Sequence, residues 1–590
     1  MPIHAPLTWM PGVRCSQRQS ASREINIDGS IDIHMQLNNE QAGIFRGAPR
    51  FSQLEIKELA VSNFGAAWRR AFALQGSLAL RDVSGDFAVG LHVADGTIFL
   101  AVDRFAVHSL CYRIVNGQLR FAVRADELAD AHTPVDPQAI FDYLYFHVIP
   151  SPRTIYKGIY RLPPGHYALF ENGQLSVAPY WVPSFEEQSN TSFESLKEEF
   201  RALLKEAVST QLDGGKPACF LSGGTDSSTV AGMISQASGR QAATYSIGFD
   251  AQGYDEMEYA RLAAHHFKTE HHEYYVTPDD LVRSIPAVAA HYDQPFGNSS
   301  ALPAYYCAKM AREDGVSKIL AGDGGDELFG GNTRYAKQRV FGWYESLPSG
   351  LRSGVLEPVF GLGFMSQIPL VRKAASYVNQ AKVPMPDRLM TYNQLFRLGV
   401  RDVLTPELLA QVDQQDPARQ QREVWNQVRQ GSLVNRMLAF DWRYTLADCD
   451  LPKVMGTTAL AGVNVGFPML DDRLLAFSLK LPTAYKLKGL KLRWFFKEAL
   501  RGFLPDEILT KKKQGFGLPF GVWANQTPAL KALAKDSLDS LVARGVVRGD
   551  FIDSLLTHRL PEHPGYYGEM VWILMMLEQW LQAKQPAFRI

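Results

Sequence analysis

Between residues 78 and 181 apolar and polar positions alternate in short runs, as in "DFAVGLHVADGTIFLAVDRF" and "YRIVNGQLRFAV", broken by Gly, Asp and Asn-Gly turns. A period of two punctuated in this way predicts antiparallel hairpins, so the first part of the chain reads as β-rich. The rhythm changes after the proline-rich "RLPPGHYALFENGQLSVAPYWVPSFEEQSNTS". "FESLKEEFRALLKEAV" has helical spacing, which places a boundary near residue 190. Beyond it the apolar strands "ACFLS", "AATYSIGF" and "KILAG" alternate with helix-like segments, the pattern of a parallel sheet with crossover helices. From about 335 onward the spacing is mostly helical, and no internal repeat or low-complexity tract interrupts it. The expected units are 1–185 and 190–590.

Composition supports more than one unit and narrows the partners. With 590 residues, 46% of them hydrophobic, the chain exceeds what a single core holds. Lys+Arg and Asp+Glu both number 61, so net charge gives no reason to expect nucleic acid or an anionic membrane as the partner. A small substrate fits better. The five cysteines (Cys15, Cys111, Cys219, Cys307, Cys449) form no CxxC pair and no Cys/His cluster, which argues against a disulfide framework or a zinc site. The N-terminal stretch has no continuous apolar core, and no run of about 18 apolar residues occurs. The expectation is a soluble, cytoplasmic protein with reduced thiols.

Two glycine-rich turns carry the candidate chemistry. In "ACFLSGGTDSSTVAGM" (218–233) an apolar strand stops at Ser222, Gly223 and Gly224 and a small-residue helix begins. Such a turn directs backbone N–H groups and the positive end of a helix dipole at one point, an anion cradle. Ser222, Ser227 and Ser228 add hydroxyl donors, and Asp226 could hold Mg2+ against phosphate oxygens. The lysine-containing GxxxxGK[ST] pattern is absent, so an ordinary γ-phosphate-transferring loop is not expected. Read alone, the string is equally a Ser/Gly helix cap. In "KILAGDGGDELFGGN" (318–332) a second strand runs into a turn bearing Asp323, Asp326 and Glu327. Carboxylates beside a phosphate cradle repel a nucleotide unless a divalent cation lies between them, so the two loops together point to metal-bridged ATP. Strand ends of this kind are where open α/β sheets bind ligands.

At these residues the chain resembles the asparagine synthetase family. "LSGGTDSS" is similar to its pyrophosphate loop and "YSIGFD" (245–250) to its adenine-side strand. "DQPFGNSSALPAYYCAKMAREDGVSKILAGDGGDELFGG" (293–331) and "KKQGFGLPFGVW" (512–523) continue the match, and the first half resembles a glutamine amidotransferase sandwich. The resemblance implies an α/β protein: an αββα Ntn-hydrolase-like sandwich, then a PP-loop adenine-nucleotide domain with a parallel sheet and a helical C-terminal part. It implies ATP and Mg2+ as cofactors, a small-molecule or peptide carboxylate as substrate, and an amine donor, either ammonia or a substrate amine; it leaves a homodimer open. Carried over by position, Ser222, Gly223, Gly224, Thr225, Ser227 and Ser228 match the pyrophosphate loop, and Leu221, Ile247 and Gly322 match adenosine contacts. Asp226 and Asp326 match the metal ligands, Asp323 stands where a glutamate base is common, and Lys513 matches a charge-stabilising lysine. Its neighbours Lys511 and Lys512 read as solvated.

Departures from that pattern qualify the expected reaction. Glutamine-hydrolysing members use a processed N-terminal cysteine whose free amine serves as base, but residue 2 is Pro and Cys15 lies in a polar stretch. The first domain therefore reads as a glutaminase relic, unless processing before Cys15 rescues it. Asn464 and Gly466 replace a Glu and an Arg of the family, Gly456 a charged residue and Asn332 a Tyr; these changes, expected near the acceptor pocket, put aspartate as substrate in doubt. The readings carried forward are an amide-forming, AMP-releasing synthetase without its own glutaminase, of macrolactam or β-lactam type; an asparagine synthetase fed by ammonia or a partner; and a scaffold that retains the fold without catalysis.

Overall fold

The computed structural model describes residues 43–188, 190–345, 380–512 and 517–590, together with the paired dipeptides Glu24–Ile25 and Ile31–Asp32. Cys15 and Lys513 lie outside the described residues. The first part of the chain builds two main sheets, beside a short antiparallel pair of Arg50–Phe51 with Val83–Ser84. Strands β1 (Gly43–Gly47), β2 (Phe87–His92), β3 (Ile98–Val102), β4 (Cys111–Val115), β5 (Gln118–Ala122), β6 (Tyr160–Arg161), β7 (His166–Glu171) and β8 (Gln174–Pro179) pair throughout in antiparallel fashion. Their orders are β8-β7-β3-β2-β1 in the larger sheet and β6-β4-β5 in the smaller.

Period-two geometry explains how the larger sheet is covered on both faces. Phe87, Val89, Leu91 and Phe99 turn one way and pack on helices α1 (Leu54–Ser62) and α2 (Phe64–Gln75), with Trp68 buried between them. Ala88, Ile98, Leu100 and Val102 turn the other way, onto Leu110, Tyr112 and Leu119 of the smaller sheet. Strand β1 and both helices precede residue 78, where the alternating pattern becomes legible. β1 is an edge strand whose residues are only half-buried, so its five positions leave no clear hydrophobic signature.

The second part holds a five-stranded, wholly parallel sheet. It comprises β9 (Ala218–Phe220), β10 (Ala243–Phe249), β11 (Glu270–Val276), β12 (Lys318–Leu320) and β13 (Asn464–Gly466), in the order β11-β10-β9-β12-β13. Central β10 is buried at every position, as expected of a strand covered on both faces. The two edge strands escaped the sequence pattern because β11, "EHHEYYV", is largely polar and β13 has three residues. Helices cover both faces, among them the almost fully buried Pro564–Lys584. Among the described residues no helix is long and apolar enough to cross a membrane.

Candidate active site

The turn from β9 into helix α3 (Thr225–Ser238) forms the centre of the site. Gly223 has φ +68°, and a Cβ there would lie 2.5 Å from the backbone of Tyr259 and Ala260, so glycine alone fits. Gly224 caps α3 without a side-chain hydrogen bond. The first-turn amides, at the positive end of the dipole, are thus without a capping side chain. Ser227 shapes the loop from within: its Oγ accepts from Ser222 N at 3.1 Å and donates to Gly224 O at 3.3 Å. Ser228 is fully buried beneath the turn.

The acidic loop follows β12, which pairs directly with β9 through Cys219 and Leu320, so the two loops leave adjacent strands side by side. Glycines bring them into contact. A Cβ on Gly322 would approach Ser227 N to 2.9 Å, one on Gly325 would collide with the Asp226 carboxylate, and one on Gly331 with that of Asp326. Between these carboxylates stands Arg493, whose Nη1 is 2.5 Å from Asp226 Oδ2 and 2.5 Å from Asp326 Oδ1. Burial would lower the Arg493 pKa, but the two aspartates raise it, so the guanidinium stays charged. The carboxylate pair therefore already accommodates a positive charge, and its oxygen donors suit a hard divalent cation.

A second charged cluster lies beside the first. Burial pushes the Asp323 carboxyl up to about 6, against the pull of the Lys453 ammonium and with the push of Asp450. Lys453 Nζ is 2.9 Å from Asp450 Oδ1 and 3.8 Å from Asp323 Oδ1. Both partners come from the junction of a π-helical stretch, Trp442–Asp450, with helix Leu451–Ala461. Such stretches are uncommon and frequent at functional sites. Glu327 is buried, and burial followed by the charges of Asp326, Asp450 and Asp441 raises its carboxyl well above the usual range.

These groups line one cavity of about 1040 Å³. Of the residues singled out from sequence, Leu221, Ser222, Gly224, Thr225, Asp226, Ser227, Ile247, Gly322, Asp323 and Asp326 face it. Gly223 and Ser228 are not among its lining residues; they shape the turn from behind. Arg493, Lys453, Asp450 and Lys497 line it too and had no sequence signal beyond charge within helical or basic stretches. Lys511 is not solvated as expected: its side chain is 9% exposed, its Nζ is 3.1 Å from Glu256 Oε2, and it lies 4.2 Å over the Tyr259 ring. The substituted positions Asn464, Gly466, Gly456 and Asn332 do not line the cavity. Asn464 and Gly466 belong to edge strand β13, Gly456 packs against Tyr292, and the Asn332 side chain accepts from Arg334 N. Their departure from the family pattern therefore carries no argument about an acceptor.

The comparisons agree with this architecture. The asparagine synthase family profile matches residues 199–582 and a glutamine amidotransferase domain profile matches 69–181. The chain is 25% identical over 433 residues to "Asparagine synthetase [glutamine-hydrolyzing] 1" of Bacillus subtilis, covering 73% of this chain and 67% of that protein. It is 24% identical over 440 residues to the third B. subtilis enzyme of that name, covering 71% and 64%, and 26% identical over 281 residues to "Amidase chyE" of Penicillium rubens, covering 42% and 40%. Among solved structures, a B. subtilis glutamine phosphoribosylpyrophosphate amidotransferase aligns with 49% of this chain and 63% of its own, at 10% identity and a TM-score of 0.16, too low to carry an argument. The synthase match spans well over half of the chain, and the protein belongs to the asparagine synthase family of ATP-dependent carbon–nitrogen ligases.

Proposed function

We propose that the cavity adenylates a carboxylate with ATP and passes the acyl group to an amine, and that the protein does so without hydrolysing glutamine itself. The observation that carries this reading is the meeting of two strand-end loops, in which Asp226 and Asp326 converge on one positive charge at the foot of an uncapped helix. The phosphates belong at the first turn of α3, with Leu221, Ile247 and Gly322 on the nucleoside side. Asp226 and Asp326 would hold Mg2+, which supplies charge neutralisation for the phosphates. In the first half-reaction a carboxylate oxygen attacks the α-phosphorus and the bond to pyrophosphate breaks. In the second the amine attacks the acyl carbon, AMP leaves, and Asp323 takes the amine proton. Lys453 keeps Asp323 ionisable against its burial. Lys513 is proposed, from sequence alone, as a further donor to developing charge.

The units 1–185 and 190–590 are proposed as a glutaminase-like shell and the ligase. The thiols among the described residues do not suit a nucleophile: burial pushes Cys111 and Cys449 up to about 12 and raises Cys219 and Cys307 further. Cys15 lies outside the described residues, and on this reading the amine is ammonia, free or from a partner glutaminase, or belongs to the substrate, the latter including macrolactam- or β-lactam-type closure. The names of the relatives favour asparagine as an alternative product. The test is incubation of the full chain with MgATP and a panel of acids including aspartate. AMP and pyrophosphate are expected, with loss in Asp226→Asn, and no glutamate from added glutamine. ADP as product removes the adenylation reading, and glutamate release removes the claim about nitrogen.

A further inference from the structure

Arg493 occupies an unusual position for a long charged residue. Its backbone is left-handed (φ 49°, ψ 38°), a conformation that is strained for a non-glycine residue. It stands immediately before helix Trp494–Ala499, and its amide donates to Gly330 O at 3.2 Å, tying it to the end of the acidic loop. The side chain is 9% exposed. Gly331 makes room for it, since a Cβ there would lie 2.9 Å from Arg493 Cδ. Both the turn and the neighbouring glycine therefore aim the guanidinium at the carboxylate pair.

That placement sets the guanidinium against any cation the same carboxylates would hold. One nitrogen lies 2.5 Å from each of two carboxylate oxygens. A divalent cation held by Asp226 and Asp326 would draw on the same carboxylate pair that Arg493 already neutralises. The segment that carries Arg493 is exposed at its tip and anchored at its base. It is a two-residue-per-strand hairpin, Leu487–Lys488 with Lys491–Leu492, whose tip residues 488–491 are exposed, with Leu490 and Lys491 lining the cavity. Leu487 is fully buried and Leu492 and Trp494 pack on the same core, so the segment does not open unaided and its shift must be driven by what the displaced guanidinium gains.

We propose that Arg493 competes with divalent cations for Asp226 and Asp326, so that the pair accepts a metal only when the 487–494 segment carries the guanidinium away. This rests on the metal assignment made above for the two aspartates. Metal alone is then a poor ligand, because it must displace a buried, charge-assisted pair without compensation. Metal arriving with a nucleotide is a good one: the phosphates offer the displaced guanidinium a new, bidentate partner. Arg493 acts as a positioning residue that makes metal entry conditional on phosphate.

The experiment is a titration of the full chain with Mn2+ and no nucleotide, read from the free-ion paramagnetic resonance signal. Arg493→Gln is expected to bind Mn2+ at least ~10-fold more tightly than the parent, the scale at which an uncompensated buried pair is felt. The gain should vanish in Arg493→Gln combined with Asp226→Asn. Equal affinity in parent and variant overturns the proposal, as does a gain that survives the Asp226 change. If Arg493→Gln does not fold, amide hydrogen exchange of the parent decides instead. Segment 487–497 should exchange faster with Mn2+ plus ATP than with ATP plus chelator, and unchanged exchange overturns the proposal. Formation of AMP and pyrophosphate is scored separately, so failure of the competition leaves the adenylation reading standing, and the reverse.

Discussion

Single side chains in this protein are tuned chiefly by burial. Glu569 illustrates the effect away from the cavity: burial pushes its carboxyl up to about 7, and its hydrogen bond with Ser299 opposes this only in part. Because the folded-state value exceeds the usual one, the protonated form stabilises the fold. That contribution is complete below about 4.5 and is lost as pH rises through about 7. Glu569→Gln should therefore be close to the parent in stability at pH 5 and more stable at pH 8, by on the order of 2 kcal/mol. Urea unfolding at the two pH values checks this, and a variant advantage that grows toward low pH would contradict it. Asp323 is raised by the same cause, but Lys453 and Asp450 accompany it, so its charge is set by a group rather than by solvent.

Turns between elements decide where those side chains meet. The β9–α3 turn works because Gly223 reaches a left-handed conformation with no Cβ against Tyr259 and Ala260. Gly223→Ala should cost about 2 kcal/mol or more, since the obstructing atoms are backbone and cannot rotate away. The same change should weaken nucleotide-dependent pyrophosphate release beyond the loss of folded protein, because the helix N-terminus is displaced. Chemical denaturation and a pyrophosphate assay on the folded fraction separate the two effects; a neutral substitution would show that the turn is more pliable than its contacts imply. The π-helical stretch ending at Asp450 performs the corresponding task beside the acidic loop, delivering Asp450 and Lys453 from one continuous run.

Across the whole molecule, half-buried charge joins the β-rich part to the ligase part. Arg161 Nη2 donates to both Asp293 oxygens, at 3.0 and 2.8 Å, and Ala125 N donates to Asp293 Oδ2 at 2.9 Å. Arg104 pairs with Asp472 at 2.6 Å, and Tyr143 OH donates to Ile573 O at 2.8 Å. Asp293→Ala leaves a half-buried Arg161 without its carboxylate, and such a loss costs on the order of 2 kcal/mol, less than for a fully buried pair. Calorimetry should show a lower melting temperature, with the β-rich part unfolding ahead of the rest; an unchanged single transition would mean that apolar packing alone holds the parts together.

The sequence by itself determined the two rhythms of the chain and the two loops, because glycine turns, strand ends and helix starts are specified within about ten residues of chain. It showed Asp226, Asp323 and Asp326 for the same reason: each sits inside its turn motif. It did not show Arg493, which meets Asp226 across 267 residues of sequence and lies in "KLKGLKLRWFFKEAL", where one cation looks like another. Nor did it show that Lys511 is buried against Glu256 and Tyr259, or that Asn464 and Gly466 stand off the cavity. Which charges share a cavity depends on how strand order and helix packing bring distant segments together. Electrostatic pairing falls off within a few ångströms of contact and leaves no periodic trace along the chain, so only the tertiary structure decided it.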